Sequence, residues 1–175
     1  MKTFRLCLIL AVAVCFMLIG SQSQNATARA AVMGNADEHL PIATWRELGR
    51  ALIATAKYND VRRAVADGYV PDIYESGEGL HYFNPALYDG TFDIEHPEVL
   101  LYVPVAGTNH LRLVGLEYAV PIDPPGSSQP APAGFTGNAD VWRNSPEGFP
   151  EWALDVWIWS YNPNGIFAPK NPRVP

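Results

Sequence analysis

The chain has 175 residues, with 12 basic and 18 acidic side chains and a formal net charge of −6. That length suits one domain able to bury a core. The acidic balance argues against nucleic acid or an anionic membrane surface as partner.

The first segment reads as a targeting signal. Lys2 and Arg5 precede an apolar run from Leu6 to Ile19, which is followed by polar residues and then small ones. Ala28-Arg29-Ala30 fits an A-x-A cleavage site, and Ala26-Thr27-Ala28 competes with it. This is the layout of a secretory signal peptide over residues 1–30. The run is also shorter than the ~20 residues needed to span a bilayer. The sequence therefore predicts export to the periplasm, the cell envelope or the medium, with no stable membrane anchor after cleavage. Residues 1–30 contain Lys2, Arg5 and Arg29 and no acid, so the mature chain keeps 9 basic and 18 acidic residues. Cys7 and Cys15 both lie in the signal. The mature protein then has no disulfide, thiolate nucleophile or cysteine-ligated metal, and packing with or without a metal has to stabilise it.

Residues 31–43 read as a flexible leader, leaving residues 44–175 as a single domain of helix plus strands. Thr44 and Glu47 form a T-x-x-E capping-box pattern. Trp45, Leu48, Leu52, Thr55, Tyr58, Val61 and Val65 follow at steps of three and four, as one apolar helix face does. Gly68 is a natural residue just past a helix end, and Pro71 opposes continuation. The spacing predicts a helix from Trp45 to Asp67. After Gly68 the apolar runs shorten to strand length. Candidate strands are Leu80–Phe83, Glu98–Val105, His110–Pro121 and Trp152–Ser160, separated by Asn-Pro, Asp-Gly and Gly-Thr-Asn turn signals. A hairpin from Val99 to Val120 across Gly107 is the best-supported pairing. Ile122 to Gly137 reads as a long loop. Ile166 to Pro175 is predicted to lie along the surface.

Strand alternation points three polar groups inward. Glu117 shares a predicted face with Leu111, Leu113, Gly115 and Ala119. Asp155 sits inside W-A-L-D-V-W-I-W, where Asp is a poor strand former. His81 lies in the otherwise apolar G-L-H-Y-F. A buried carboxylate takes up a proton or finds a cation or donors. Two readings follow. His81, Glu117 and Asp155 converge on a divalent metal such as Zn, Mn or Fe, or they are polar groups satisfied locally, with Arg112, Arg143 or backbone amides as partners. His39, His96 and His110 flank turns or lie in the leader and read as solvated. The aromatic residues also allow two readings. Tyr82, Trp157 and Trp159 are candidates for a ligand-binding surface for a glycan or hydrophobic small molecule, or they fill the core. No local hydrolase, metalloprotease, P-loop or dinucleotide fingerprint is present.

The motifs G-L-H-Y-F-N-P-A-L (79–87), P-E-V-L-L-Y (97–102), L-R-L-V-G-L-E-Y (111–118), L-D-V-W-I-W (154–159) and N-P-N-G-I-F-A-P-K-N-P (162–172) together resemble a family of exported, functionally uncharacterised bacterial proteins. The resemblance covers nearly the whole mature chain. It implies histidine at the position of Asp155 in relatives, and with His81 and Glu117 a cupin-like His, Glu, His metal set, from which Asp155 departs. The expected fold is α+β or mainly β: one N-terminal amphipathic helix packed on a small antiparallel sheet or partial barrel. Three functions remain open: a metal site with or without catalysis, a non-catalytic binding module, and a structural envelope protein.

Overall fold

A computed structural model describes residues 39–144 and 146–175. The predicted signal peptide and most of the predicted leader lie outside the described residues. The described chain is mostly β with a helical segment. Its strands are β1 (Val70–Glu75), β2 (Gly79–Phe83), β3 (Val99–Pro104), β4 (Leu111–Pro121), β5 (Arg143–Asn144) and β6 (Glu151–Val156). They form one antiparallel sheet in the order β1-β2-β3-β4-β6-β5, open at both edges rather than closed into a barrel. Among the described residues no helix is long and apolar enough to cross a membrane.

The predicted single helix is two. Helix α1 spans Ile42–Thr55, a 3-10 turn covers Ala56–Asn59, and α2 spans Val61–Ala66. Asp60 causes the break: it is extended, and its side chain accepts the Arg62 N–H as a new N-cap. The capping box is absent as well. Pro41 is the N-cap of α1, and Thr44 is a buried residue inside the helix. Thr44 Oγ1 donates to the Thr136 carbonyl at 2.6 Å, and Glu47 accepts from the Thr136 N–H and hydroxyl. The predicted Thr44–Glu47 partnership is thus spent on strapping the long loop across the helix. The buried face runs through Thr44, Leu48, Ala51, Thr55 and Tyr58, while Trp45, Leu52 and Val65 are exposed. Small residues at 44 and 51 set the buried face one step away from the most hydrophobic stripe.

The hairpin across Gly107 forms as predicted, with Val99 opposite Glu117 and Leu101 opposite Gly115. Its register shifts between Leu101 and Tyr102, where Val114 is the extra residue. A bulge of this kind reverses which side chains face which side. Leu113, Leu116 and Tyr118 therefore pack with α1 in the main core, beside Leu100, Tyr102 and Leu154. Gly115 and Glu117 face the other side, among Val99, Leu101, Ala119 and Trp157. The strict alternation expected for Leu111 to Ala119 fails at that one residue.

Three further elements differ. β1 was not expected, because Pro71 reads as a breaker; it occupies an edge strand, where a missing N–H is tolerated. β6 ends at Val156, so Trp157 and Trp159 lie beyond the strand. The C-terminal segment is anchored rather than laid on the surface: Phe167, Asn171 and Val174 are buried.

Glu98 carries a separate consequence of burial. Its Oε2 accepts the Ala119 N–H at 3.0 Å. Burial pushes its carboxyl up to about 8, against the lowering effect of that hydrogen bond. The folded state then binds a proton that the unfolded state releases near 4.5. Stability therefore falls as pH rises through that interval, by up to ~1.4 kcal/mol per unit from this group. Glu98→Gln keeps an acceptor for Ala119 and loses the proton. Urea unfolding is expected to show a slope lower by about that amount between roughly pH 5 and 7.5. An unchanged slope would place the proton elsewhere.

Candidate metal centre

His81 on β2 pairs with Leu101 of β3, and Glu117 on β4 pairs with Val99. The two residues are thus two strands apart, roughly 9–10 Å between backbones, on the face opposite α1. Their side chains meet above β3: His81 Nε2 lies 3.2 Å from Glu117 Oε2. Gly115, across Leu101 from His81, leaves room for Trp157, whose ring a Cβ there would meet at 3.1 Å.

The third member of the group is Glu78, which no strand periodicity marks in the sequence. It sits in the tight turn joining β1 to β2, and its Oε2 lies 3.3 Å from His81 Nε2. The turn is built for this placement. Gly77 and Gly79 flank Glu78 with φ of +88° and +93°, a region that side chains oppose. A Cβ on Gly79 would also meet the Tyr102 carbonyl oxygen at 2.5 Å. The C-terminal segment holds the turn from outside: the Gly77 N–H donates to the Pro175 carbonyl, and the Asn171 N–H donates to the Gly77 carbonyl. The signal available in the sequence was Glu78-x-x-His81 around a glycine, at the start of a strand.

Ligand atoms of Glu78, His81 and Glu117 all lie within 4.8 Å of one another, and all three residues are buried. Glu78 Oε1, His81 Nδ1 and Glu117 Oε2 have no hydrogen-bond partner. Burial pushes the His81 imidazole down, but the carboxylates of Glu117 and Glu78 outweigh it and raise it to about 10. Without another cation, the imidazolium itself supplies positive charge between the two carboxylates.

Asp155 is placed differently from the predicted ligand set. It stands directly across from Glu117 on β6, but its Oδ2 accepts from Arg143 Nη2 at 2.7 Å. This is the local pairing that the sequence also allows for Asp155. Burial pushes the Asp155 carboxyl well up, Glu117 and Glu78 add to the effect, and Arg143 opposes it. Arg143, on the short edge strand β5, also lies 3.8 Å from Glu78 Oε1 and 3.9 Å from Glu117 Oε1. The guanidinium thereby lies against one side of the cluster.

The cluster forms the floor of a cavity of ≈ 270 Å³ whose walls include Ile73, Phe83, Tyr88, Val99 and Phe149. The aromatic residues proposed from the sequence are not in that wall. Tyr82 is buried edge-to-face against Tyr102 at 5.0 Å. Trp157 is 3% exposed and donates through Nε1 to the Ala168 carbonyl. Trp159 is half-buried and donates to Thr55 Oγ1. They take the core role rather than forming an exposed platform. His39, His96 and His110 are exposed, as expected.

Comparison with known proteins finds no matching family model, no matching curated protein and no matching solved structure.

Proposed function

We propose that this is an exported metal-binding domain, with one divalent ion held by Glu78, His81 and Glu117 at the floor of the cavity. The observation that carries the reading is the convergence of three buried side chains of ligating type, with Glu117 Oε2, one of the converging atoms, lacking a hydrogen bond. The distances suit the chemistry. The 3.2 and 3.3 Å separations from His81 Nε2 match the edge of a ligand tetrahedron, ~3.3–3.4 Å for ligands ~2.0–2.1 Å from the ion. Charge suits it too: two carboxylates and a neutral imidazole balance a divalent ion, while Arg143 balances Asp155. An oxygen-rich set with one nitrogen favours Zn or Mn, with Fe as a third candidate. Three protein ligands leave coordination positions open toward the cavity. An ion there acts as a Lewis acid or water activator, with a nearby carboxylate as base.

Export and the family resemblance belong to the same proposal and rest on the sequence motifs. A second reading, a binding module without catalysis, draws on the aromatic wall formed by Phe83, Tyr88 and Phe149. The two readings part on metal content. Mature protein exported by a native-like host is expected to carry about one ion per chain by mass spectrometry. The His81→Ala/Glu117→Gln double variant is expected to carry none while keeping its circular dichroism. Folded wild-type protein that takes up neither Zn, Mn nor Fe would leave the binding module as the better account.

A further inference from the structure

Of the three ligands, Glu78 is the one that the sheet does least to fix. It lies in a turn beside the edge strand β1, between two glycines with φ of +88° and +93°, and Ser76 in the same turn is exposed. Glu117 reaches the same His81 Nε2, so the two carboxylates repel each other. A permissive backbone and like charge both favour the departure of Glu78 from the cluster. Its side chain is nonetheless only 2% exposed, so a further contact holds it in.

The C-terminal segment Lys170–Pro175 supplies that contact. Gly77, the residue before Glu78, is held on both sides. Its N–H donates to the Pro175 carbonyl at 3.2 Å, and its carbonyl accepts the Asn171 N–H at 2.8 Å. The Lys170 stem packs on it so closely that a Cβ at Gly77 would meet Lys170 Cβ at 3.2 Å. Lys170 Nζ lies 3.8 Å from Glu78 Oε1. The segment is itself anchored away from the turn. The Lys170 carbonyl accepts from Asn162 Nδ2, and Asn171, fully buried, donates through Nδ2 to the Tyr161 carbonyl. The Asn171 carbonyl accepts the Val174 N–H at 2.9 Å. Val174 is buried in the cluster of Val99, Leu101 and Trp157, the apolar layer on the face that carries the site.

We infer that the segment Lys170–Pro175 positions the metal ligand Glu78: docked, it holds the carboxylate beside His81, and undocked, it lets the carboxylate go. The inference rests on the reading of this cluster as a metal centre and names what controls its ligand geometry. Ion and segment act on one turn, so the coupling is reciprocal: the factor by which docking tightens the ion is the factor by which the ion tightens docking.

Two variants of the mature protein test it, one ending at Pro172 and one carrying Val174→Asp, which undocks the segment because a buried charge is costly. Each is expected to raise the Kd for Zn about tenfold or more, read by competition against a chelator. Two controls are expected to leave that Kd unchanged. Leu48→Ala lowers stability from the core on the opposite face of the sheet, and Arg173→Ala removes an exposed side chain that lies over Tyr161. The unaltered chain gives the reciprocal result: hydrogen exchange of the Val174 amide is expected to slow about tenfold or more at saturating Zn. A Kd raised as much by Leu48→Ala as by the segment variants, or Val174 exchange indifferent to Zn, would overturn the inference. The metal-free protein separates this from failure of the metal centre. There the NMR signals of the His81 ring report the Glu78 contact, and in both segment variants they are expected to move toward those of Glu78→Gln. That movement in a protein that takes up no ion would overturn the metal centre alone. Metal uptake with Kd and His81 signals unchanged in both variants would overturn the positioning role alone.

Discussion

Arg143→Met is expected to destabilise the protein by up to about 3–5 kcal/mol at pH values where Asp155 is ionised, the cost of stripping the partner from a buried charge. The reason is the asymmetry of the pair. Asp155 has a side chain with 0% exposure, whereas Arg143 retains 17%. Without Arg143, the carboxylate has Glu117 across the ladder and Glu78 nearby, both of which raise its energy. Asp155→Asn is expected to cost far less, about 1 kcal/mol or below. It leaves Arg143 close to Glu78 and Glu117 and removes the most deeply buried charge. The Arg143→Met/Asp155→Leu pair is expected to recover most of the loss, because a matched apolar replacement leaves no charge uncompensated. Urea unfolding of the four chains gives the double-mutant cycle. The pH dependence follows from the sign of the shift. Asp155 is already pushed above its ordinary value, and losing Arg143 pushes it further, so protonation relieves the variant in acid. Its deficit is expected to be smallest in acid and to grow as pH rises. Equal costs for the two single variants would show that the charge of Asp155 is not what the pair protects.

The sequence made His81, Glu117 and Asp155 legible for one physical reason: polar groups inside apolar strands stand out against a period of two. The same rule located β2, β3, β4 and most of β6. It failed where a single residue changes phase. Val114 bulges out of the hairpin, so Leu111 and Leu113, assigned to the face of Glu117, pack with α1. Glu78 was invisible to the rule because it lies in a turn, where no periodicity marks a side chain as inward. What places it there is the pair of left-handed glycines and the tail that clamps Gly77, neither of which a local pattern encodes. Asp60 inside an otherwise helical period hid its capping role in the same way. Tyr82 and Trp157 had two possible uses on paper. Only the partners of the Trp157 Nε1–H and of the Tyr82 ring decide for the core.

The ligand set is the point at which sequence and structure part most consequentially. The sequence reading groups Asp155 with His81 and Glu117; the geometry groups Glu78 with them. The two sets predict opposite results. With the geometric set, Glu78→Gln removes a charged ligand and is expected to raise the Kd for Zn or Mn on the order of 100-fold or more, about 2.7 kcal/mol. Asp155→Asn acts only through Arg143, which touches the rear oxygens of Glu78 and Glu117. Changes at that distance cost about 10- to 100-fold at most when they misorient ligands, and the amide still accepts from Arg143. A loss of about tenfold or less is therefore expected for Asp155→Asn. Competition against a chelator of known affinity measures both. The reverse order would mean that Asp155 leaves Arg143 when the ion binds. Position 155 permits that, since it faces Glu117 directly across the β4–β6 ladder. In that case Arg143 would be released from its 2.7 Å pairing, and Arg143→Met would tighten metal binding rather than weaken it. With Glu78 as ligand, the same substitution removes a positive charge 3.8 Å from Glu78 and 3.9 Å from Glu117, which also favours a bound cation. The order of the Glu78→Gln and Asp155→Asn losses therefore decides between the two sets, and Arg143→Met does not.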